Sequence, residues 1–410
     1  MHPTDTVHPT DDETAPDGAV GQRVALQRKL AGLTQYQLAD HAHVSKSLVS
    51  QVERGAVPAS PGFTSAVARA LGIDVETLYG QPYGPPLTDP KAEHAGIPLL
   101  RAALDRARDP VLSGQLMTAT ELRARLDACD QDRARSRYAQ MTAALPELLH
   151  HGYALAAEAR AGAESETAWA LLTDASVLAQ TVAYRFGYLD LAALCNERAH
   201  HAAARCGDPL RVAVAAYEHG LIRLHRGDYT GVLQLAEHAH AGITDDRGPV
   251  ADAVRAQLHL REAIAHARSC NADRADEYVK AARELVARGI PGQPYYNIIA
   301  TAANVEIHWV AVPIELSDGT TAVSRAEQAQ IPEDAEPSRM GHHWVDVARG
   351  WTLHGDRAKA LGALKQARQI APQQTKYHPQ VHETVRILAE TDRRATDSLA
   401  GFARWLGLTL

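Results

Sequence analysis

In the stretch TQYQLADHAHVSKSLVSQVERG (34–55), apolar side chains fall at Leu38, Ala39, Ala42, Val44, Val49 and Val52. That spacing predicts two short helices whose inner faces meet across a tight turn. Thr34 and Ser45 are placed to cap them. From Leu99 onward the pattern changes to long amphipathic helices separated by short Gly, Asp or Pro breaks. Five of these breaks open similar segments: GYLDLAALCNERA at Gly187, GDYTGVLQLAEHA at Gly227, CNADRADEYVKAA at Cys270, SDGTTAVSRAEQA at Ser317 and GDRAKALGALKQA at Gly355. The steps are 40, 43, 47 and 38 residues. A helix pair recurring near that period predicts an α-solenoid, in which each pair buries its apolar face only against its neighbours. The chain therefore reads as all-α: a disordered acidic arm (1–19), a compact helical domain (20–80), a Pro/Gly-rich linker (81–98) and a helical repeat domain (99–410). Residues 99–160 are helical but off the rhythm, as expected of a capping or dimer-forming bundle.

Composition sharpens this reading. The 410 residues exceed one ordinary core. At 45% hydrophobic and 22% charged the chain is globular. A net charge of −7 argues against a protein that coats nucleic acid indiscriminately. Positive charge is local: Arg23, Arg28, Lys29, Lys46 and Arg54 crowd residues 20–55, whereas residues 1–19 carry no Lys or Arg. The four cysteines have no C-x-x-C spacing and read as reduced thiols of a cytoplasmic protein. No apolar run approaches 18 residues, so no membrane contact is expected.

The N-terminal segment, with GQRVALQRKLAGLTQ (21–35) before the motif and FTSAVARALGIDVETLYG (63–80) after it, resembles the five-helix DNA-binding domain of the Xre and lambdoid phage repressors. The resemblance implies a double-stranded DNA operator as partner. Gln35 and first-turn amides would hold phosphate. Ser45 would cap the second helix, and Lys46, Ser47, Ser50 and Gln51 would meet base edges in the major groove, with Arg54 beside them. Arg28 and Glu53 would form an internal ion pair. His43 stands where that family commonly has Gly, at a left-handed turn position that His tolerates at roughly 1 kcal/mol. The following loop, AVPASPG (56–62), carries no basic residue, so dimeric binding would have to compensate.

The repeats resemble tetratricopeptide repeats, and the combination resembles the peptide-pheromone receptors that switch transcription. The concave face of such a solenoid would bind a signalling peptide or small effector. Polar stripes nominate Gln180 and Tyr184; Arg211 and Glu218; Arg255, His259 and Glu262; and, on a helix expected over 294–310, Asn297, Asn304 and His308. Such stripes also suit a merely solvated face. The 21 histidines include three doublets, but no metal-ligand spacing stands out, and no catalytic motif or cofactor fingerprint is present. The expected molecule is a homodimeric transcription regulator of repressor type. The alternative is an interaction scaffold that uses its helix-turn-helix for protein contact.

Overall fold

The computed structural model describes residues 19–83, 93–106, 116–243, 248–289, 298–391 and 397–408. Among them every regular element is a helix. The N-terminal domain consists of α1 (Val20–Leu30), α2 (Gln35–His41), α3 (Lys46–Glu53), α4 (Pro61–Leu71) and α5 (Val75–Tyr79). Then come α6 (Ile97–Asp105), α7 (Ala119–Ala134) and α8 (Tyr138–Glu158). The repeats follow as pairs: α9 (Ala163–Arg185) with α10 (Leu189–Cys206), α11 (Pro209–His225) with α12 (Tyr229–Gly242), and α13 (Pro249–Arg268) with α14 (Ala272–Val286). Two more pairs are α15 (Ala302–Glu315) with α16 (Gly319–Gln328) and α17 (Pro337–His354) with α18 (Arg357–Ile370). The chain closes on α19 (Pro372–Tyr377), α20 (Pro379–Thr391) and α21 (Asp397–Leu406). The acidic arm and most of the expected linker lie outside the described residues.

The N-terminal domain has its own core. Leu38, Ala39, Ala42, Val49 and Val52 are buried against Val24, Phe63, Val67 and Leu78, while Val44 is only half-buried. Thr34 and Gln37 form a reciprocal capping box, and Ser45 Oγ accepts the Leu48 amide, so both helices of the motif start where their side chains satisfy free N–H groups. His43 does adopt the left-handed conformation, at φ 53°, and the Val44 amide reaches back to the Ala39 carbonyl at 2.9 Å. This hydrogen bond spanning six residues is the Schellman closure, which lets a helix end and reverse within two residues.

The same closure repeats through the solenoid. Gly187, Gly227, Cys270, Ser317 and Gly355 all have φ between 59° and 97°. In each case the next residue's amide bonds the carbonyl five residues back, as in Asp228 to Arg223 at 3.0 Å and Asp318 to Pro313 at 2.8 Å. The next helix begins two residues after the turn. Asp228, Asn271, Asp318 and Asp356 then cap that helix with their side chains. A small residue for the left-handed turn followed by an Asx cap is thus the physical content of the repeat signature. Ser136, at φ 55°, makes the same turn between α7 and α8. The solenoid geometry therefore already begins in the stretch that looked off-rhythm. Helices α9, α11, α13, α15 and α17 each pack on the next to form an inner layer, with their partners outside.

The DNA-binding-type domain sits against this solenoid. Glu383 on α20 accepts the backbone amides of Val20 and Ala59, each at 3.3 Å. Arg69 on α4 donates to the Gly227 carbonyl at 3.0 Å, and Gln380 donates to Tyr79 Oη at 3.1 Å. Gly55, at φ 69°, lies so close to Glu390 that a Cβ would overlap its carboxylate. The loop after α3, free of basic residues, is thus occupied by docking.

Candidate nucleic-acid interface and central cavity

The first surface is the outer edge of α3. Ser45, Lys46, Ser47 and Arg54 are exposed, and Ser50 and Gln51 are half-buried. Gln51 Nε2 donates to Ser47 Oγ at 3.3 Å, and Arg54 Nε donates to the Ser50 carbonyl at 3.1 Å. The edge is held from behind by Glu53. Its carboxylate accepts Arg28 Nε at 2.6 Å and Nη2 at 2.9 Å, tying α3 to α1 with a bidentate, charge-assisted pair. Burial pushes the Glu53 carboxyl up, but the hydrogen bonds from Arg28 and Gln35 outweigh it and leave it below its ordinary value. Gln35, expected to hold phosphate, donates its amide N–H to Glu53 at 2.7 Å. In this arrangement it braces α2 against α3, and only its carbonyl end is left over.

The second surface is a cavity of about 210 Å³ lined by the inner helices. Tyr184, Tyr217, Arg261, Asn304 and Arg339 reach it from α9, α11, α13, α15 and α17 in turn, and Tyr377 from α19. Pro61 and Tyr79 of the N-terminal domain close its remaining side, with the Tyr79 ring 5.9 Å from that of His225. The cavity wall therefore belongs to both parts of the chain. Glu315 anchors it: its carboxylate accepts Arg268 at 2.8 Å and Arg349 at 3.0 Å, and Asp346 completes the network at 2.9 Å. Burial raises the Glu315 carboxyl, but the two guanidiniums dominate and hold it at about 2.

Of the residues nominated for a ligand, Tyr184, Glu218, Asn304 and His308 line this cavity. Asn304 is engaged, since its Oδ1 accepts Arg339 Nε at 2.7 Å, and His308 Nδ1 pairs with the Asn304 carbonyl at 2.8 Å. Gln180 is fully buried in α9, beside the cavity rather than on it. Arg211 turns away to Asp174 at 2.7 Å. The stripe chosen on α13 is displaced: Arg255 bonds Asp252 and the Ile243 carbonyl, and His259 and Glu262 face α12. The cavity takes Gln257, Arg261, Ile264 and Arg268 instead, a stripe two residues along and so on the opposite side of the helix. Asn297 lies outside the described residues, and α15 begins at Ala302 rather than near 294, with Thr301 as its cap. Glu262 accepts from His259 at 2.8 Å and His240 at 3.2 Å. These three are the side chains among the described residues whose ligand atoms converge enough to hold a metal, within 4.8 Å of one another. The inner arginines Arg185, Arg261 and Arg339 escaped the sequence reading because arginine is abundant on every helix face.

Residues 19–78 match the profile of a helix-turn-helix domain. This part of the chain is a helix-turn-helix domain. An immunity repressor protein of Bacillus phage phi105 is 44% identical over 62 residues, 15% of this chain and 43% of the repressor. A competence pilus inhibition repressor of Acinetobacter baylyi is 38% identical over 60 residues, 15% of this chain and 54% of that protein. The chain spans about half the length of these curated relatives. Among solved structures, Bacillus thuringiensis PlcR in complex with the peptide PapR7 and DNA aligns over 86% of this chain and 94% of its own, at 15% identity and a TM-score of 0.24. A PrgX mutant aligns over 86% and 94% at 10% identity and a TM-score of 0.27. Scores that low carry no argument about how this chain is arranged. No helix among the described residues is long and apolar enough to cross a membrane.

Proposed function

We propose that the chain is a sequence-specific, DNA-binding transcription regulator of repressor type, acting as a homodimer in the cytoplasm and switched by a small effector or signalling peptide held in the solenoid. The observation that carries this reading is the shared cavity wall. Tyr79 and Pro61 of the helix-turn-helix domain touch the same space as the inner solenoid helices, while the α3 edge stays open to a duplex. Lys46, Ser47, Ser50 and Gln51 would contact bases, with Ser45 and Arg54 near phosphates. A ligand that fits the cavity better in one placement of the domain than in another would change how two recognition helices match their half-sites. A differential affinity of about 1–3 kcal/mol is enough for a switch. The relatives support this, since both are named as repressors. Selection from a randomised duplex pool with the full chain tests it. Enrichment of an inverted repeat with half-sites roughly 10 base pairs apart is expected. Absence of any enriched sequence would leave the interaction scaffold as the better description.

A further inference from the structure

The central cavity holds more positive charge than its own carboxylates neutralise. Arg268 and Arg349 are satisfied by Glu315 and Asp346, and Arg133 by Asp130 and Glu336. Arg185, Arg261 and Arg339 also line the cavity, yet none of them has a carboxylate within ion-pair distance among the described residues, Glu218 on the same wall included. Arg185 only leans on the Tyr184 ring, with 5.9 Å from its guanidinium to the centroid. Arg261 stacks over Tyr217 at 4.2 Å and leaves its Nε buried without an acceptor. Arg339 spends Nε on the neutral amide of Asn304.

A cation taken out of water without a counter-ion is costly, so such groups are ordinarily paired. Here three half-buried guanidiniums share one cavity, and burial, with Arg185 adding repulsion, outweighs the pull of Glu336 and Asp346 and holds Arg339 below the usual guanidinium value. The neighbouring imidazoles, which can only be neutral or cationic, offer no counter-charge. The His342 and His378 rings lie tilted with centroids 5.4 Å apart, His342 Nδ1 is buried without a partner, and both rings are held neutral by burial and by nearby arginines.

We infer that the cavity is an anion site: Arg185 and Arg339, with Arg261 beside them, are built to grip a carboxylate or phosphate on the effector. Guanidinium forks match both groups in a planar, two-point fashion. The rest of the wall, with Tyr184, Tyr217, Ile264 and Ile307, takes an apolar or aromatic body. The effector class is therefore a small amphipathic acid, or one acidic end of a peptide, because about 210 Å³ lies below the usual range of ligand pockets, roughly 300–1,000 Å³.

This inference rests on the effector-responsive reading above, and the test separates the two. The full chain and its Arg185→Met and Arg339→Met variants are titrated with phenyl phosphate, benzoate and neutral benzamide, reading thermal stability and heat of binding. At least one anion should bind and raise the melting temperature of the parent chain, while benzamide does neither. Benzoate acting alone assigns a carboxylate, and phenyl phosphate acting alone a phosphate monoester. Each variant should weaken that binding by about tenfold or more. Because Arg185 has no protein counter-ion and no hydrogen-bond partner to strand, ligand-free Arg185→Met should melt no lower than the parent, whereas Arg339→Met also gives up the bond to Asn304 and should melt somewhat lower. Benzamide binding as well as the anions, no anion binding at all, unchanged affinity in both variants, or marked destabilisation of both would overturn the anion site. Duplex binding by the same ligand-free variants should equal the parent's. Its loss from the parent as well would count against the regulator reading and leave the anion result standing.

Discussion

Glu315 sits where a single atom change should matter most. Its carboxylate is buried between Arg268 and Arg349. Glu315→Gln keeps the shape but leaves two buried guanidiniums with only Asp346 between them. Removing one partner of such a network costs about 3–5 kcal/mol, so thermal or urea unfolding should show a loss of that order. A change within 1 kcal/mol would mean that the network is dispensable. The left-handed turns predict the opposite sign. Cys270 is exposed at φ 59°, so Cys270→Gly should stabilise the chain by about 0.5–1 kcal/mol in the same assay. These turn residues were legible in the sequence because Gly187, Gly227 and Gly355 mark the register that Cys270 and Ser317 share. Ser136 was not, because it is neither a glycine, as at Gly187, nor followed by an Asp or Asn cap, as at Cys270 and Ser317: the next residue is Arg137.

At the scale of elements, what could be read from the sequence depended on whether one face of a helix was distinct. The α2–α3 motif has a single apolar face and polar caps, so its core residues and its exposed edge followed from spacing alone. On α13, polar residues occupy two opposite stripes, and periodicity cannot say which one turns inward. Only packing against α11 and α15 decides it. The docking of α20 on the N-terminal domain was equally hidden, since it rests on a carboxylate reaching two backbone amides over 300 residues away in sequence. Desolvation raises the buried Glu383 carboxyl above its ordinary value, outweighing the two backbone amides and nearby Arg386. Glu383→Ala should leave the Val20 and Ala59 amides unpaired in the closed arrangement. Hydrogen exchange at those two amides should then speed up by about tenfold or more. Unchanged protection there would show that Glu383 does not hold the domain.

At the scale of the whole molecule, the histidines set the response to acid. His225, His308, His378 and His382 are held at about 3, in each case chiefly by burial. In the unfolded chain they titrate near the ordinary value of roughly 6.5. Below that pH the unfolded state takes up protons that the folded state refuses, so stability falls as pH falls from about 6.5 toward 3. Each imidazole should cost about 1 kcal/mol by pH 5.5. The melting temperature should accordingly hold between pH 8 and 7 and drop steadily between 6.5 and 5, a range above the ordinary titration of carboxylates. A flat profile down to pH 5 would contradict this burial pattern.

Regulation by this chain requires that α3 read a duplex. The direct measurement is a binding titration of the full chain on its selected sequence and on a scrambled duplex, at several salt concentrations, beside the Lys46→Ala, Gln51→Ala double variant. Selective binding that weakens with salt is predicted, with the double variant losing about 10- to 100-fold on the selected sequence and little on the scrambled one. Equal affinity for both duplexes, or a double variant that binds as the parent does, would contradict it.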